Sequence, residues 1–401
     1  MIPRLKAHLG FKEVFAAISF WKKDSVINFE NDFAKLSNQK YAISFPYGRT
    51  GLFAILKAMR LEGKEVICPG YTCVVVPHAI VSAGCIPVFV DSQNSDFNMD
   101  WDCIDQAVNN NTGAIIATSI FGNPINLDAL AVFKKNYPNV KIIQDCAHSF
   151  MASWENKLVN KTSDAAFFGM NISKLITSIF GGMVTTDSQE LQLELLKVKE
   201  EIIEKQTFSK SLSRFAYLLS VIVAFWKPIY GFIHKLERSG LLNRFVKYFD
   251  EEKIDMPLDF LHPLTPLEAR VGKVQCNKYS DIVKHRSALA TIYTNQLCKL
   301  NYIKLPPSPQ GATFSHYVIR TNHSHLIIER MRDQGIQVGE LIDYYIPDMK
   351  SYSTFKNHDK NIARNWPQNI INLPVHMDCA KKDAIKICEI LISLEKEIKQ
   401  P

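Results

Sequence analysis

The chain has 401 residues, 47% hydrophobic and 22% charged, without a long low-complexity tract; this excludes a disordered protein and leaves room for two or three domains. A formal charge of +7 suits an anionic ligand such as a phosphate or nucleotide, or a membrane surface, while the lack of a basic stripe interleaved with aromatics argues against nucleic acid. Nine scattered cysteines with no C-x-x-C pair argue against a disulfide framework or a metal site and for a reducing, cytoplasmic setting.

Residues 1–25 form an N-terminal segment; Met1–Gly10 lacks the apolar core of a signal peptide. From 26 to 204 short β-like runs alternate with helical stretches. Tyr41–Phe45, Glu65–Cys68, Ile86–Val90, Ala114–Ser119 and Val140–Gln144 read as strands, rich in Val and Ile. Leu52, Ile55, Leu56 and Met59 repeat at helical spacing, as do Leu127, Leu130, Ala131 and Lys134 more weakly. This alternation predicts an α/β domain with a mostly parallel central sheet and helices on both faces, its ligand beyond the carboxyl ends of the strands.

Within this domain Pro46-Tyr-Gly-Arg-Thr-Gly51 separates a strand from an amphipathic helix. Gly48 would let backbone N–H groups approach an anion at a helix N-terminus, with Arg49 and Thr50 as side-chain donors; an ordinary strand–helix turn is the alternative. No dinucleotide glycine motif, lysine-containing phosphate loop or H-E-x-x-H metal motif is present. Asp145 ends an apolar strand, either as a turn or N-cap carboxylate or as the partner of a protonated ring nitrogen. His148, three residues on, either faces such a ring or is structural. Lys174 follows the aromatic run at Phe167-Phe168. A lysine there is ordinarily a surface residue, but Leu175–Phe180 carries only apolar and hydroxyl side chains before Gly181-Gly182 and a β-like Met183–Thr186. Partial desolvation among them would lower the amine pKa and prepare it for imine formation.

Residues 205–260 interrupt the pattern with apolar and basic composition. Phe215–Ile233 is nearly long enough to cross a bilayer as a straight helix, but one crossing would split the chain across the membrane, and Lys227-Pro228 and Gly231 break the run. Lys205, Lys210, Arg214, Lys235, Arg238, Arg244 and Lys247 flank it. A monotopic helix or hairpin resting on the anionic inner face of the cell membrane through 215–233 is one expectation, with Leu218 and Val221 as contacts; a dimer-interface or core helix is the other. Residues 261–401 read as a smaller α+β C-terminal domain with a connecting helix from Thr265 through Cys298, a strand-like Ser315–Arg320, a helix at Ile327–Gly335 and a closing helix at Ala380–Lys399.

In order, the glycine turn and helix, Pro69-Gly-Tyr-Thr-Cys73, Pro87-Val-Phe-Val-Asp91, Asp145-x-x-His148, Lys174 with Gly181-Gly182 after it, and Asn372-Leu-Pro-Val-His376 resemble the DegT-like family of pyridoxal-phosphate (PLP) sugar aminotransferases. The resemblance implies the fold type I architecture of PLP-dependent transferases. It also implies that Lys174 carries the cofactor as an imine and that Asp145 holds its pyridine nitrogen, with His148 beside the ring. Gly48 and Arg49 then fall at the phosphate turn, and Asn171 or Ser173 stands for the phosphate-binding serine. Cys73 occupies the position where the family often stacks an aromatic, and Leu261-His-Pro-Leu264 replaces an Asn-Tyr-Arg-like motif given by the neighbouring subunit. A homodimer is implied, moving an amino group from L-glutamate to a keto sugar, often nucleotide-linked, in polysaccharide or lipopolysaccharide biosynthesis. Tyr344, Tyr345 and His376 are candidate substrate residues. A PLP-dependent lyase or sugar dehydratase is a competing reading, but dehydratases of this resemblance carry histidine in place of the lysine. A non-catalytic sensor or scaffold on the same fold is another.

Overall fold

The computed structural model of the protein describes residues 1–19, 21, 23–239, 250 and 252–399. Its strands are β1 (Tyr41–Phe45), β2 (Glu65–Pro69), β3 (Ile86–Val90), β4 (Thr112–Thr118), β5 (Lys141–Asp145), the short pair β6 (Ser153–Trp154) and β7 (Lys157–Leu158), β8 (Ala165–Gly169), β9 (Gly182–Thr186), β10 (Tyr317–Arg320), β11 (Asn357–His358) and β12 (Ile370–Leu373). The helices are α1 (Phe11–Ile18), α2 (Ser25–Leu36), α3 (Gly48–Ala58), α4 (Val75–Ser82), α5 (Trp101–Ala107), α6 (Leu127–Asn136) and α7 (Gln189–Ile202). They continue with α8 (Phe208–Ala224), α9 (Lys227–Arg238), α10 (Pro266–Leu297), α11 (Ser324–Asp333), α12 (Trp366–Asn369) and α13 (Lys381–Lys399).

Eight strands form one sheet in the order β1-β9-β8-β5-β4-β2-β3-β11, in which only β9 runs antiparallel to its neighbours. The central strands are buried on both faces, which is why they read as continuous apolar runs, and separate clusters fill the two sides, one around Leu52, Ile55 and Phe89 and the other around Phe33, Ile142 and Phe168. This is the α/β architecture expected. It brings the ends of β1, β2, β4, β5 and β8 and the start of β9 to one edge of the sheet. A second antiparallel pair, β10 with β12, packs with α10, α11 and α13 around Tyr293, Ile319 and Leu391. The N-terminal α1 lies against α10: Arg270 donates to the carbonyls of Ala16 and Ala17 (2.8 and 2.7 Å), and Lys278 pairs with the buried Glu13.

The insert folds back onto this body, which corrects part of the membrane reading. Lys210, Arg214, Leu218 and Val221 recur at helical spacing on α8 and are all buried. Lys210 donates to the carbonyls of His262 and Pro263 (2.9 and 3.0 Å), and burial pulls its amine down to about 8. Arg214 meets Asp259 at 2.7 Å and Glu268 at 3.2 Å, and its guanidinium lies 4.0 Å from the centre of the Phe180 ring. These two cations and Leu218 and Val221 therefore face protein rather than lipid. Arg244 and Lys247 lie outside the described residues. Because Glu268 is buried, Arg214→Ala is expected to destabilise the fold by about 3–5 kcal/mol, measured by urea unfolding. Among the described residues no single helix is long and apolar enough to cross a membrane; α8 and the following helix are bent by 106°.

Candidate active site

The site is assembled at the shared strand edge, where close backbone approaches are required. Phe45 at the end of β1 and Gly169 at the end of β8 both pair with Gly182. A side chain at Gly182 would begin 2.3 Å from the Tyr47 carbonyl, and one at Gly48 would meet the Gly169 Cα at 2.9 Å. Only glycines allow the N-terminus of α3 to lie this close to the turn after β8. Tyr47 caps that helix, its hydroxyl donating to Asp259 (2.7 Å) and accepting from Arg214 (3.1 Å). The Thr50 hydroxyl donates to the Phe260 carbonyl at 2.8 Å, so it is not the side-chain donor the turn suggested. Gly48 and Arg49 are both half-buried at the helix N-terminus, where the dipole favours an anion.

Asp145 stands at the end of β5, buried, with Oδ1 accepting the Ala147 N–H at 2.9 Å. Burial raises its carboxyl to about 6, against that hydrogen bond and the charge of Lys174. Lys174 is half-buried, and desolvation lowers its amine below the ordinary lysine value, opposed by Cys73 and Asp145. The amine and the carboxylate thus feel one another without forming a direct ion pair. A Cβ added to Gly169 would lie 3.6 Å from Lys174 Cε and 3.7 Å from Ala147 Cβ, so the bare Cα keeps open the space between the lysine stem and the turn after Asp145.

The lysine loop is short and closed. Asn171 Oδ1 accepts the N–H and hydroxyl of Ser173 (2.9 and 2.6 Å), and its carbonyl accepts the Lys174 N–H at 3.1 Å. At the far end the Met170 carbonyl takes the Ser178 N–H and the Thr177 hydroxyl, both at 3.0 Å. Ile179 follows at φ 78°, a strained value for a β-branched residue.

His148 is half-buried, and its Nδ1 accepts the Phe121 N–H at 3.4 Å, which leaves the proton of the neutral ring on Nε2. Burial, then the charges of Lys174 and His316, push its pKa well below the usual range. Phe121 stacks on it with centroids 5.9 Å apart, and the His316 ring lies 5.0 Å away. His316 also senses the charge of Lys174, and sequence reasoning missed it, as it missed Gly169 and Phe121. The strand-like run from Ser315 concealed it; the strand begins at Tyr317, leaving His316 just before it, next to the Phe314 and Ser315 carbonyls held by the buried Arg286 (3.4 and 2.7 Å).

The remaining candidates are distributed differently. Cys73 is half-buried and interacts electrostatically with Lys174. Tyr344 and Tyr345 are buried and brace the turn that carries it. Tyr344 accepts the Val74 N–H at 3.0 Å, and the Tyr345 hydroxyl would lie 2.8 Å from a Cβ on Gly70. His376 is held away from this group, its Nε2 2.9 Å from the Pro3 carbonyl and its own carbonyl 3.2 Å from His285, and burial lowers its pKa to about 4. Those surroundings are structural and give no support to a substrate contact.

Residues 11–392 match the DegT/DnrJ/EryC1/StrS aminotransferase family. The chain belongs to that family. It is 25% identical over 374 residues to a GDP-perosamine synthase of Escherichia coli O157:H7, covering 92% of this chain and 89% of that protein. The Helicobacter pylori aminotransferase PseC, involved in pseudaminic acid biosynthesis, superposes with a TM-score of 0.77 at 18% identity, over 98% of this chain and 99% of that one. An E. coli GDP-4-keto-6-deoxy-D-mannose-3-dehydratase with bound hydrated PLP superposes equally well, with a TM-score of 0.77 at 17% identity over 98% and 99%. A DegT-family chain of this kind is a PLP-dependent aminotransferase of the type I fold, and the residues present fit that cofactor. Asp145 is a buried carboxylate whose Oδ1 accepts the Ala147 N–H, the Lys174 amine is within electrostatic reach of it, and the N-terminus of α3 approaches Gly169 beside the lysine stem.

Proposed function

We propose that this aminotransferase moves an amino group from L-glutamate to a nucleotide-linked keto sugar, of the 4-keto-6-deoxy class, in surface polysaccharide or lipopolysaccharide biosynthesis, working as a cytoplasmic homodimer. The observation that supports the reading is the half-buried Lys174 beyond β8, its Cε 3.6 Å from a Cβ placed on Gly169, within electrostatic reach of the buried Asp145 at the end of β5. The names of the relatives support the sugar: a GDP-perosamine synthase and a dTDP-3-amino-3,6-dideoxy-alpha-D-galactopyranose transaminase, the latter from Aneurinibacillus thermoaerophilus and 24% identical over 91% of this chain.

In this reading Lys174 holds the cofactor, Asp145 binds its ring nitrogen, Cys73 and His148 flank the ring, and Gly48, Arg49, Asn171 and Ser173 surround its phosphate. Bound there, PLP supplies an electron sink for the carbanion left when the α-proton departs. The chain's own part is acid–base work. The Lys174 amine takes the proton from the amino donor's α-carbon and returns one to the sugar carbon, which suits an amine whose pKa is brought toward neutrality. Asp145 keeps a negative charge against the ring nitrogen throughout. The neutral His148 adds no competing cation next to Lys174. Glutamate leaves as 2-oxoglutarate and the keto sugar as an amino sugar, so the exchange is redox-neutral.

A lysine rather than a histidine at position 174 argues against sugar dehydration on this fold. The test is a half-reaction with L-glutamate followed by a panel of nucleotide-linked keto sugars. Glutamate is expected to shift the visible cofactor absorbance to the near ultraviolet with release of one equivalent of 2-oxoglutarate, and one keto sugar to restore it with an amino sugar detected by mass. A spectrum indifferent to glutamate, or a product that has lost a hydroxyl without gaining nitrogen, overturns the reading.

A further inference from the structure

Turning the buried face of α8 inward leaves its opposite face uncovered. Phe208, Leu212, Leu219 and Val223 recur on that face at helical spacing, and Trp226 continues the row; Phe208 is 84% exposed and Trp226 61%. Beside it α1 is amphipathic in the same sense. Ala16 and Ala17 are buried while Phe11, Phe15 and Ile18 face outward, and Ala17 and Leu218 belong to one buried cluster that joins the two helices. Phe15 packs on Phe11 and Trp21 with centroids 6.4 and 6.2 Å apart, and all three rings are exposed to solvent. Exposed apolar rows on two helices that pack together mark an interaction surface.

We propose that this α1–α8 face rests on an anionic lipid bilayer. Charge decides between lipid and a second copy of the chain. Residues 205–250 carry eight lysines and arginines against two acids. With Lys210 and Arg214 turned inward, the exposed cations around the face include Lys12, Lys205 and Lys235, none of which has an ion-pair partner among the described residues. A two-fold contact through this face would set like charges against like, whereas a surface of anionic headgroups attracts them all. Aromatic and aliphatic side chains at the boundary with lysines at the flanks is the composition of a helix lying in the interface plane, and the 106° bend after α8 prevents the pair from passing straight through. The contact is independent of the aminotransferase chemistry, since none of these residues belongs to the active site.

The test uses the PLP-loaded enzyme and its triple variant Phe15→Glu, Phe208→Glu, Trp226→Glu, floated with vesicles of phosphatidylethanolamine and phosphatidylglycerol and with pure phosphatidylcholine. Light scattering reports the assembly state and cofactor absorbance reports folding. The parent is expected to float with the anionic vesicles, and the variant to bind at least about tenfold less while keeping its absorbance and assembly state. A parent that does not bind anionic vesicles, or a variant that floats equally well, overturns the proposal. A variant that falls to a smaller assembly shows that the face joins two copies, and also overturns it.

Discussion

Lys174→Ala is expected to abolish turnover, by at least about 10⁴-fold, because in the proposed function one amine both holds the cofactor and moves the proton. Its surroundings explain why no neighbour substitutes. His148 is kept neutral, His316 is pushed well below its usual pKa by burial and by Arg286 and Lys174, and among the described residues Lys174 is the lysine whose charge acts on Asp145. The variant is also expected to lose the visible imine absorbance when reconstituted, while its far-ultraviolet circular dichroism stays that of the parent. Absorbance and a glutamate half-reaction measured on one sample check both. A variant that retains both absorbance and turnover would place the reactive amine elsewhere.

Asp145→Asn is expected to act in opposite directions on the loaded and empty protein. With cofactor bound as proposed, the loss of negative charge against the ring nitrogen should lower kcat by roughly 10²–10³-fold, the scale seen when one stabilising electrostatic partner is removed. Without cofactor, burial raises the carboxyl to about 6 in the fold, while an unfolded chain releases the proton near about 3.9. The folded state therefore binds the proton more tightly, and ionising Asp145 opposes folding. That opposition is absent below about pH 4, grows between about pH 4 and 6, and is complete above it. Asparagine removes it, so the empty variant should exceed the empty parent in stability by on the order of 2–3 kcal/mol at pH 7 and by little near pH 4. Thermal melts of both empty proteins across this range check the sign. An empty variant that is less stable than the parent at pH 7 would mean that Asp145 already has a cationic partner.

The parallel sheet was legible because its strands are buried on both sides and so read as unbroken runs of Val and Ile. Tyr41–Phe45 and Ile86–Val90 coincide with the observed strands, and the other expected strands of the sheet differ at their ends by one or two residues. Asp145 and Lys174 stood out as candidates because one ends a strand, the other follows one, and both have apolar neighbours in sequence. His316 was not, since its position is set by the Phe121-Gly122 turn, whose backbone bonds to Thr313 and His316 span nearly two hundred residues. Nor could periodicity say which side of α8 faces inward. The helix has an apolar row on each side, and the one turned to the protein is chosen by Lys210 and Arg214, whose partners at His262, Pro263, Asp259 and Glu268 lie some fifty residues downstream. Composition made those two cations look like membrane contacts; long-range pairing makes them internal.

The bond between Arg214 and Tyr47 limits how this enzyme could be shortened. The outward apolar row would tempt an engineer to excise α8 and α9 as a solubility liability. That excision would also remove the guanidinium gripping the residue that caps α3, leaving Asp259 and Glu268 without the cation they share. Trimming for solubility should begin with the outward aromatics and leave Arg214 in place.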